Sequence, residues 1–339
     1  MVSILIKSFN RPYYLDRCLN SIQKFVSGDY KVIVLDDGTP EKYLSRISEL
    51  YPYVEIKKSN QHEEKGKAIA ENLLTKKEID GFQVPIGFWK EEVKKAGKYV
   101  MVTEDDVWFT REIDLNFYAG QMGLHGTDLL KLGWLGESES NQIGDEQQLT
   151  DEILLENLQD LFVSNEFVMD LLLHNKYKFF SLLYRLGMVD HQTTRKYWKL
   201  NTILMGLWNK EYWLYVWKNL ESRVNEKQQL RNAAVWLNRN KKNSNLIGKT
   251  KKNYLKTTFQ SSATNSYHKY GNDFDVNYFN HKMNEAWLES RFDSMENFPK
   301  DFSLEYFELF FDEQMNKSSF REWVEKFKSQ YRNIGFQTE

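Results

Sequence analysis

The chain has 339 residues, 41% of them hydrophobic and 28% charged, enough apolar material for one large or two modest folded units. Its formal charge of −2 gives no global field that would draw it to nucleic acid or a lipid surface. A single cysteine, Cys18, excludes an internal disulfide and a cysteine-cluster zinc site.

The N-terminus, MVSILIKSFN, turns polar too soon for a signal peptide, and no apolar run reaches the length of a membrane span. A cytoplasmic setting is expected, with a peripheral position at the inner membrane face as the alternative. Aromatic residues reach 15%, which suits a large core and clefts that stack on sugar rings.

Strand and helix patterns alternate from the start. Residues 2–8 (VSILIKS) read as a buried strand and 13–25 as an amphipathic helix. A second strand is expected at 31–37 (KVIVLDD), a helix opened by Pro40 at 40–51, and an edge-like strand at 53–59. Helices follow at 63–77 and 88–97, then a strand at 98–103 (KYVMVT) and another within 128–136. Strands separated by helices predict a mostly parallel sheet with helices on both faces.

Residues 137–152 are polar and aperiodic and read as a mobile loop or a boundary. Helical patterns crowded with Trp and Tyr dominate from 153 to 237. From Lys227 to Gly271 there are ten Lys and Arg and no acid, whereas acids dominate from Asp273 to Glu313. Residues 318–336 read as a closing amphipathic helix. These shifts divide the chain into 1–136, 137–271 and 272–339.

Open α/β sheets bind ligands beyond the carboxyl ends of their strands. Three strand ends here carry polar or acidic groups: Phe9-Asn10-Arg11, Asp36-Asp37 and Glu104-Asp105-Asp106. One such end is ordinary, because an acid often caps the next helix. Three on one edge point to a ligand. Adjacent acids between apolar runs repel one another, and a hard divalent cation, held by one or two carboxylates plus substrate phosphates, would relieve them. Period-two alternation would set Glu104 and Asp106 on one face and Asp105 on the other. A solvated turn is the plain alternative, which Trp108 and Phe109 oppose.

Four stretches, SILIKSFNRPYYLDRCLNSI, YKVIVLDDGTPE, GKAIAENLL and GKYVMVTEDDVWF, resemble in order and spacing the GT-A nucleotide-sugar glycosyltransferases, particularly the inverting family-2-like group. The resemblance covers residues 2–110. It implies a GT-A fold, a Rossmann-like, mostly parallel α/β sheet with helices on both faces, followed by a largely helical C-terminal extension. Glu104-Asp105-Asp106 then corresponds to the family's D-x-D motif. By the same resemblance, Phe9, Asn10 and Arg11 line the nucleotide end of a cleft, and Asp37 or its neighbour Asp36 hydrogen-bonds the nucleobase or ribose. Lys67 and Asn72 either supply donor-side polar groups or belong to an ordinary helix face. Glu104 and Asp105 face the ribose and sugar, while Asp106 binds Mn2+ or Mg2+. The DDGTP turn departs from the family's D-D-G-S at Thr39 and Pro40. Many members complete the metal site with a late histidine; His268 is the candidate, a surface histidine the alternative.

The implied reaction moves a sugar from a nucleoside-diphosphate sugar, a UDP-sugar first, to a hydroxyl of a glycan or glycolipid, with inversion. It requires one carboxylate as general base. Asp190 ranks first, Glu211 second, and Glu137 is a third option. Trp134 and the Trp/Tyr cluster at 197–217 either stack on acceptor sugars or form core. The basic stretch with Arg231, Lys249, Lys251 and Lys252 closes over a diphosphate, meets an anionic acceptor, or is simply solvated. Other readings are a nucleic-acid acceptor, which Trp236, Tyr254 and Phe259 would permit, a nucleotidyltransferase, which the glycine-free SFNRPYY disfavours, and a GT-A-like binding protein without catalysis.

Overall fold

Side chains alternate across the first strand. In β1 (Val2–Ser8), Ile4 and Ile6 face one core and Leu5 faces another. The same division recurs in β3 (Tyr30–Asp36), which follows α1 (Pro12–Phe25) and the two-residue β2 (Val26–Ser27). There Val32 and Val34 join the first core, and Ile33 and Leu35 the second. Strands buried on both faces need helices on both. The computed structural model of the protein describes residues 1–77, 82–133, 147–202, 205–265, 271, 274–333 and 337–338.

The chain continues through α2 (Glu41–Leu50), β4 (Glu55–Lys58), α3 (His62–Thr75), α4 (Ile86–Lys95) and β5 (Tyr99–Glu104). Short strands β6 (Val107–Phe109) and β7 (Ile113–Asp114) precede α5 (Leu115–His125) and β8 (Leu129–Lys131). Then come β9 (Gln147–Gln148), β10 (Ile153–Leu155), α6 (Glu166–Leu173), α7 (Phe179–Arg185) and α8 (His191–Arg195). β11 (Gly206–Asn209), α9 (Lys210–Val216), α10 (Glu226–Arg239), β12 (Ile247–Thr250) and β13 (Leu255–Thr257) follow. Three helices close the chain, α11 (Val276–Leu288), α12 (Leu304–Glu308) and α13 (Lys317–Arg332).

Nine strands form one sheet in the order β4-β3-β1-β5-β11-β8-β12-β10-β9. β1, β3, β4 and β5 run parallel, β8 and β12 share their direction, and β11 and β10 run against them. The expected α/β architecture, a mostly parallel sheet with helices on both faces and a helical C-terminal part, is thus what the chain adopts. Strands from 147–250 extend the sheet begun by the first 131 residues, so the division at 136 falls inside one sheet. Pro40 precedes its helix as the cap instead of opening it.

The C-terminal helices cover α1. Arg17, fully buried, donates from Nη1 to Ser294 O at 2.9 Å and Glu296 O at 3.1 Å, and from Nη2 to Lys300 O. Its guanidinium lies 4.6 Å from the Trp108 ring and 4.5 Å from the Phe302 ring. Tyr14 Oη lies within hydrogen-bond distance of Thr258 Oγ1, at 2.8 Å, and of Asp301 Oδ1, at 3.0 Å.

Candidate active site

The parallel strands bring three loops to one edge. After β1, the chain turns through Asn10, whose φ of 53° lies in the left-handed region that asparagine tolerates best after glycine. Asn10 N donates to Thr39 Oγ1 at 2.8 Å, and Asn284 Nδ2 donates to its carbonyl and side-chain oxygens, both at 3.1 Å. The turn delivers Arg11 to the acids after β5. Arg11 Nη2 donates to Asp105 Oδ1 at 2.6 Å and Nη1 to Asp106 Oδ2 at 3.0 Å, while Phe9 N donates to Asp105 Oδ2 at 3.1 Å.

Glu104 goes elsewhere. It is the register partner of Lys7 and receives a 2.6 Å bond from its Nζ. The three acids therefore do not alternate as expected: Asp105 and Asp106 converge on one guanidinium. The strand ends at Glu104 and the chain turns at 105–106, so period two stops there. Burial pushes the Asp105 carboxyl up to about 7, against the pull of Arg11 and with Asp106 adding to the rise. Burial also raises Asp106, while the charge of Lys7 lowers Glu104. Asp105 is only 2% exposed with both oxygens engaged, so here it holds the frame of the site instead of facing an open cleft.

The end of β3 separates its two acids by task. Asp36 is fully buried and closes its own turn, accepting from Gly38 N, Thr39 N and Thr39 Oγ1 at 3.0, 2.8 and 2.6 Å. His62 Nε2 lies 3.0 Å from Asp36 Oδ1. Asp37 accepts from Ser59 Oγ at 2.6 Å and from Lys65 Nζ; burial raises its pKa, and those two donors oppose the rise. Gly38, at φ 140°, lets this turn approach α3: a Cβ there would stand 2.6 Å from Lys65 Cβ and 3.1 Å from Phe9 Cε2. Backbone bonds Asp37 N to Ser8 O and Asp105 N to Lys7 O, each 3.0 Å, set the two acidic ends on either side of β1. Two strand spacings make that separation about 10 Å.

Lys65, not Lys67, is the lysine of this site. His62, Lys65, Ile69 and Asn72 form the buried stripe of α3, whereas Lys67 is exposed. That stripe was legible: the inward Ile69 fixes which residues one turn away face inward. Asn72 donates to Lys77 O at 2.7 Å and accepts from Asn277 at 3.3 Å, which commits it to joining α3 and α11.

The base candidates are not gathered at this edge. Asp190 is exposed and caps α8, accepting from Thr193 N at 2.7 Å and Thr193 Oγ1 at 2.8 Å, bonds that lower its pKa. Glu211 begins α9 just after β11, and β11 runs antiparallel to β5 with Asn209 opposite Tyr99. Asn209 therefore sits about 16 Å along the sheet from the level of Glu104 at one strand rise per residue, and Glu211 follows it at that far edge. Glu137, Trp134 and His268 lie outside the described residues. Lys249, Lys251 and Lys252 fall at the carboxyl end of β12, on the motif's edge of the sheet. Arg231 does not: it is buried in α10 and donates to Asp170 Oδ1 at 2.8 Å. Tyr197, Trp208, Tyr212, Trp213 and Trp217 are core, and Tyr254 and Phe259 are buried too, which removes them from stacking on a ligand. Trp236 donates to Asp128 Oδ2 at 2.7 Å.

Among the described residues, no group of three or more His, Cys, Asp or Glu is placed to hold a metal ion by itself. No described helix is long and apolar enough to cross a membrane.

A mostly parallel sheet with polar turns and carboxylates at one strand edge is the arrangement in which open α/β sheets bind their ligands. Residues 3–75 match the family described as "Glycosyl transferase family 2", in agreement with the resemblance that the motifs of this segment carry. No curated protein matches the chain. Among solved structures, S. aureus TarS 1–349 in complex with UDP-GlcNAc is similar at 15% identity over 75% of this chain and 57% of that one, TM-score 0.41. Glucosyl-3-phosphoglycerate synthase from Mycobacterium tuberculosis, in complex with Mn2+, UDP and glucosyl-3-phosphoglycerate, is similar at 10% identity over 87% and 82%, TM-score 0.38. The mannosyltransferase PcManGT from Pyrobaculum calidifontis, with GDP-Man and Mn2+, gives 12% identity over 39% and 35%, TM-score 0.28. The chain thus spans 57% of the length of the TarS chain.

Proposed function

We propose that the protein is a metal-dependent glycosyltransferase that moves a sugar from a nucleoside-diphosphate sugar, a UDP-sugar first, to a hydroxyl of a glycan or glycolipid, with inversion. The observation that supports it most is the Phe9–Arg11 turn, held between Asp37 on one side and Asp105-Asp106 on the other, largely within the family-matched segment.

In this reading Asp37 accepts hydrogen bonds from the base or ribose, beside the half-buried Phe9 ring. Asn10 and Arg11 fix the turn from which the donor's diphosphate is met. Two acids share one arginine, so their two charges exceed the one that Arg11 supplies, and burial, the larger cause, raises the pKa of both. That excess, on hard carboxylate oxygens, fits Mn2+ or Mg2+ held through Asp106, with the donor's phosphates supplying further oxygens. When bound, the ion would offset charge on the departing diphosphate. In this reading Glu104, paired with Lys7 but half exposed, meets the donor's sugar side. For the general base, Asp190 is occupied as a cap and Glu211 lies at the far edge, so Glu137, which comes after β8 in the sequence and lies outside the described residues, is the first to test.

The test is a donor screen. UDP-, GDP- and CMP-sugars are incubated with the protein with and without Mn2+, and nucleotide release is measured. Release with one donor class that falls to background in Asp106→Asn supports the reading. If no sugar nucleotide binds or is hydrolysed and Asp106→Asn changes nothing, the reading fails. Loss of transfer in Glu137→Gln with donor binding retained would assign the base.

A further inference from the structure

The stretch from α6 to α8 leaves apolar side chains in water. α6 turns Met169, Leu172 and Leu173 inward. α7, with the sequence FFSLLYR, buries none of its residues. Phe167, Tyr177, Leu182, Tyr184, Leu186 and Met188 are exposed, Tyr177 at 90% and Met188 at 69%. Single exposed apolar residues are ordinary, but six between positions 167 and 188 make a patch, and patches of this kind mark interaction surfaces.

Local structure holds the patch outward. Asn175, Tyr177 and Lys178 have φ of 51°, 53° and 57°, a region that bulky side chains rarely enter. Asn175 braces the turn: its Oδ1 accepts from Ser181 N at 3.1 Å and its Nδ2 donates to Ser181 Oγ at 2.9 Å. Lys176 pairs with Asp170 at 2.7 Å.

Charge indicates what covers it. From Leu171 to Val189 there is no Asp or Glu, while Lys176, Lys178 and Arg185 stand in that span. Lys178 and Arg185 are exposed. Between Asp170, which pairs with Lys176, and Asp190, which caps α8, aromatic and aliphatic side chains stand with cations and no further acid, a composition that suits the headgroup region of an anionic bilayer. A second copy of the chain fits less well. An isologous contact would bring the same cation-bearing patch together from both copies, with only Asp170, already paired with Lys176, and Asp190 at its ends to offset it.

We propose that the α6–α8 segment seats the protein on an anionic membrane surface, with α7 in the interface and Lys178 and Arg185 against lipid phosphates. The chain leaves this segment through α8 and residues 196–200 and enters β11, where Gly206 pairs with Val102 beside the acidic strand end. The surface is independent of the transfer reaction, and its test does not require activity.

The full chain is sedimented with vesicles of phosphatidylcholine alone or mixed with phosphatidylglycerol. Binding to the mixed vesicles that weakens with salt is expected. Leu182→Glu combined with Leu186→Glu should reduce partition about tenfold or more, as should Lys178→Glu combined with Arg185→Glu. All four positions are exposed, so circular dichroism and melting temperature should not change. No binding to mixed vesicles, or full binding by both variants, overturns the proposal. A dimer in sedimentation equilibrium that Leu182→Glu/Leu186→Glu abolishes would also overturn it, by assigning the patch to a second copy.

Discussion

Removing the Arg11 guanidinium tests how the acidic strand end is held. Arg11→Met keeps most of the side-chain volume but deletes the bonds to Asp105 at 2.6 Å and Asp106 at 3.0 Å. Breaking a buried pair from one side costs about 3–5 kcal/mol, because the remaining charge is left without compensation. The cost must depend on pH. Below about 7, the raised value of Asp105, that carboxyl is protonated in both proteins, and the arginine has one charge fewer to offset. Above it, the wild type carries a carboxylate held by Arg11. The variant must keep the proton or bury the charge alone, at about 1.4 kcal/mol per pH unit. The deficit should therefore grow by about 2–3 kcal/mol between pH 6 and pH 9. Urea unfolding of both proteins at these two values, with EDTA present, measures it. A deficit below about 1 kcal/mol at pH 9, or one equal at both pH values, would refute the idea that Arg11 compensates buried acids.

Arg17→Met should lower stability by about 3 kcal/mol or more, since three backbone carbonyls lose a charged donor; Arg17→Lys should recover only part, and calorimetric melting of both variants is the check. Gly38→Ala should cost about 2 kcal/mol from the close approach to Lys65 and the positive φ, and should weaken nucleotide binding in titration calorimetry; an unchanged melting temperature would mean that the turn can shift at no cost. Asp128 is raised by burial despite bonds from Trp236 and Asn209. The folded protein then holds a proton that the unfolded chain has released above about pH 4, so stability falls as pH rises through that window. Asp128→Asn should flatten this part of a urea-derived stability profile, and an unchanged slope would assign it to another group.

Local pattern revealed the elements whose side chains repeat. β1, β3 and β5 lie within a residue or two of their expected positions because alternate residues feed two cores. β11 stayed hidden in its aromatic run: a strand of four residues buried on both faces reads the same as a buried helix. The three acids stand at the strand end where the sequence puts them, yet their directions were not legible, because alternation ends with the strand and the next two residues follow a turn. Glu211 shows a different limit. Its remoteness from the acids depends on the antiparallel run of β11, a property of topology that no local stretch contains. The exposed α7 shows a third, since apolar composition alone reads as core.

The burial of Arg17 has a consequence for synthesis. The carbonyls that receive its guanidinium lie 277 to 283 residues further along the chain. At translation rates of roughly 5–20 residues per second, α1 leaves the ribosome roughly 15–60 s before its cover is made. During that interval a cation and two tyrosines meant for the interior face water or a chaperone. The Phe9–Arg11 turn that α1 extends can become rigid only when the C-terminal part arrives.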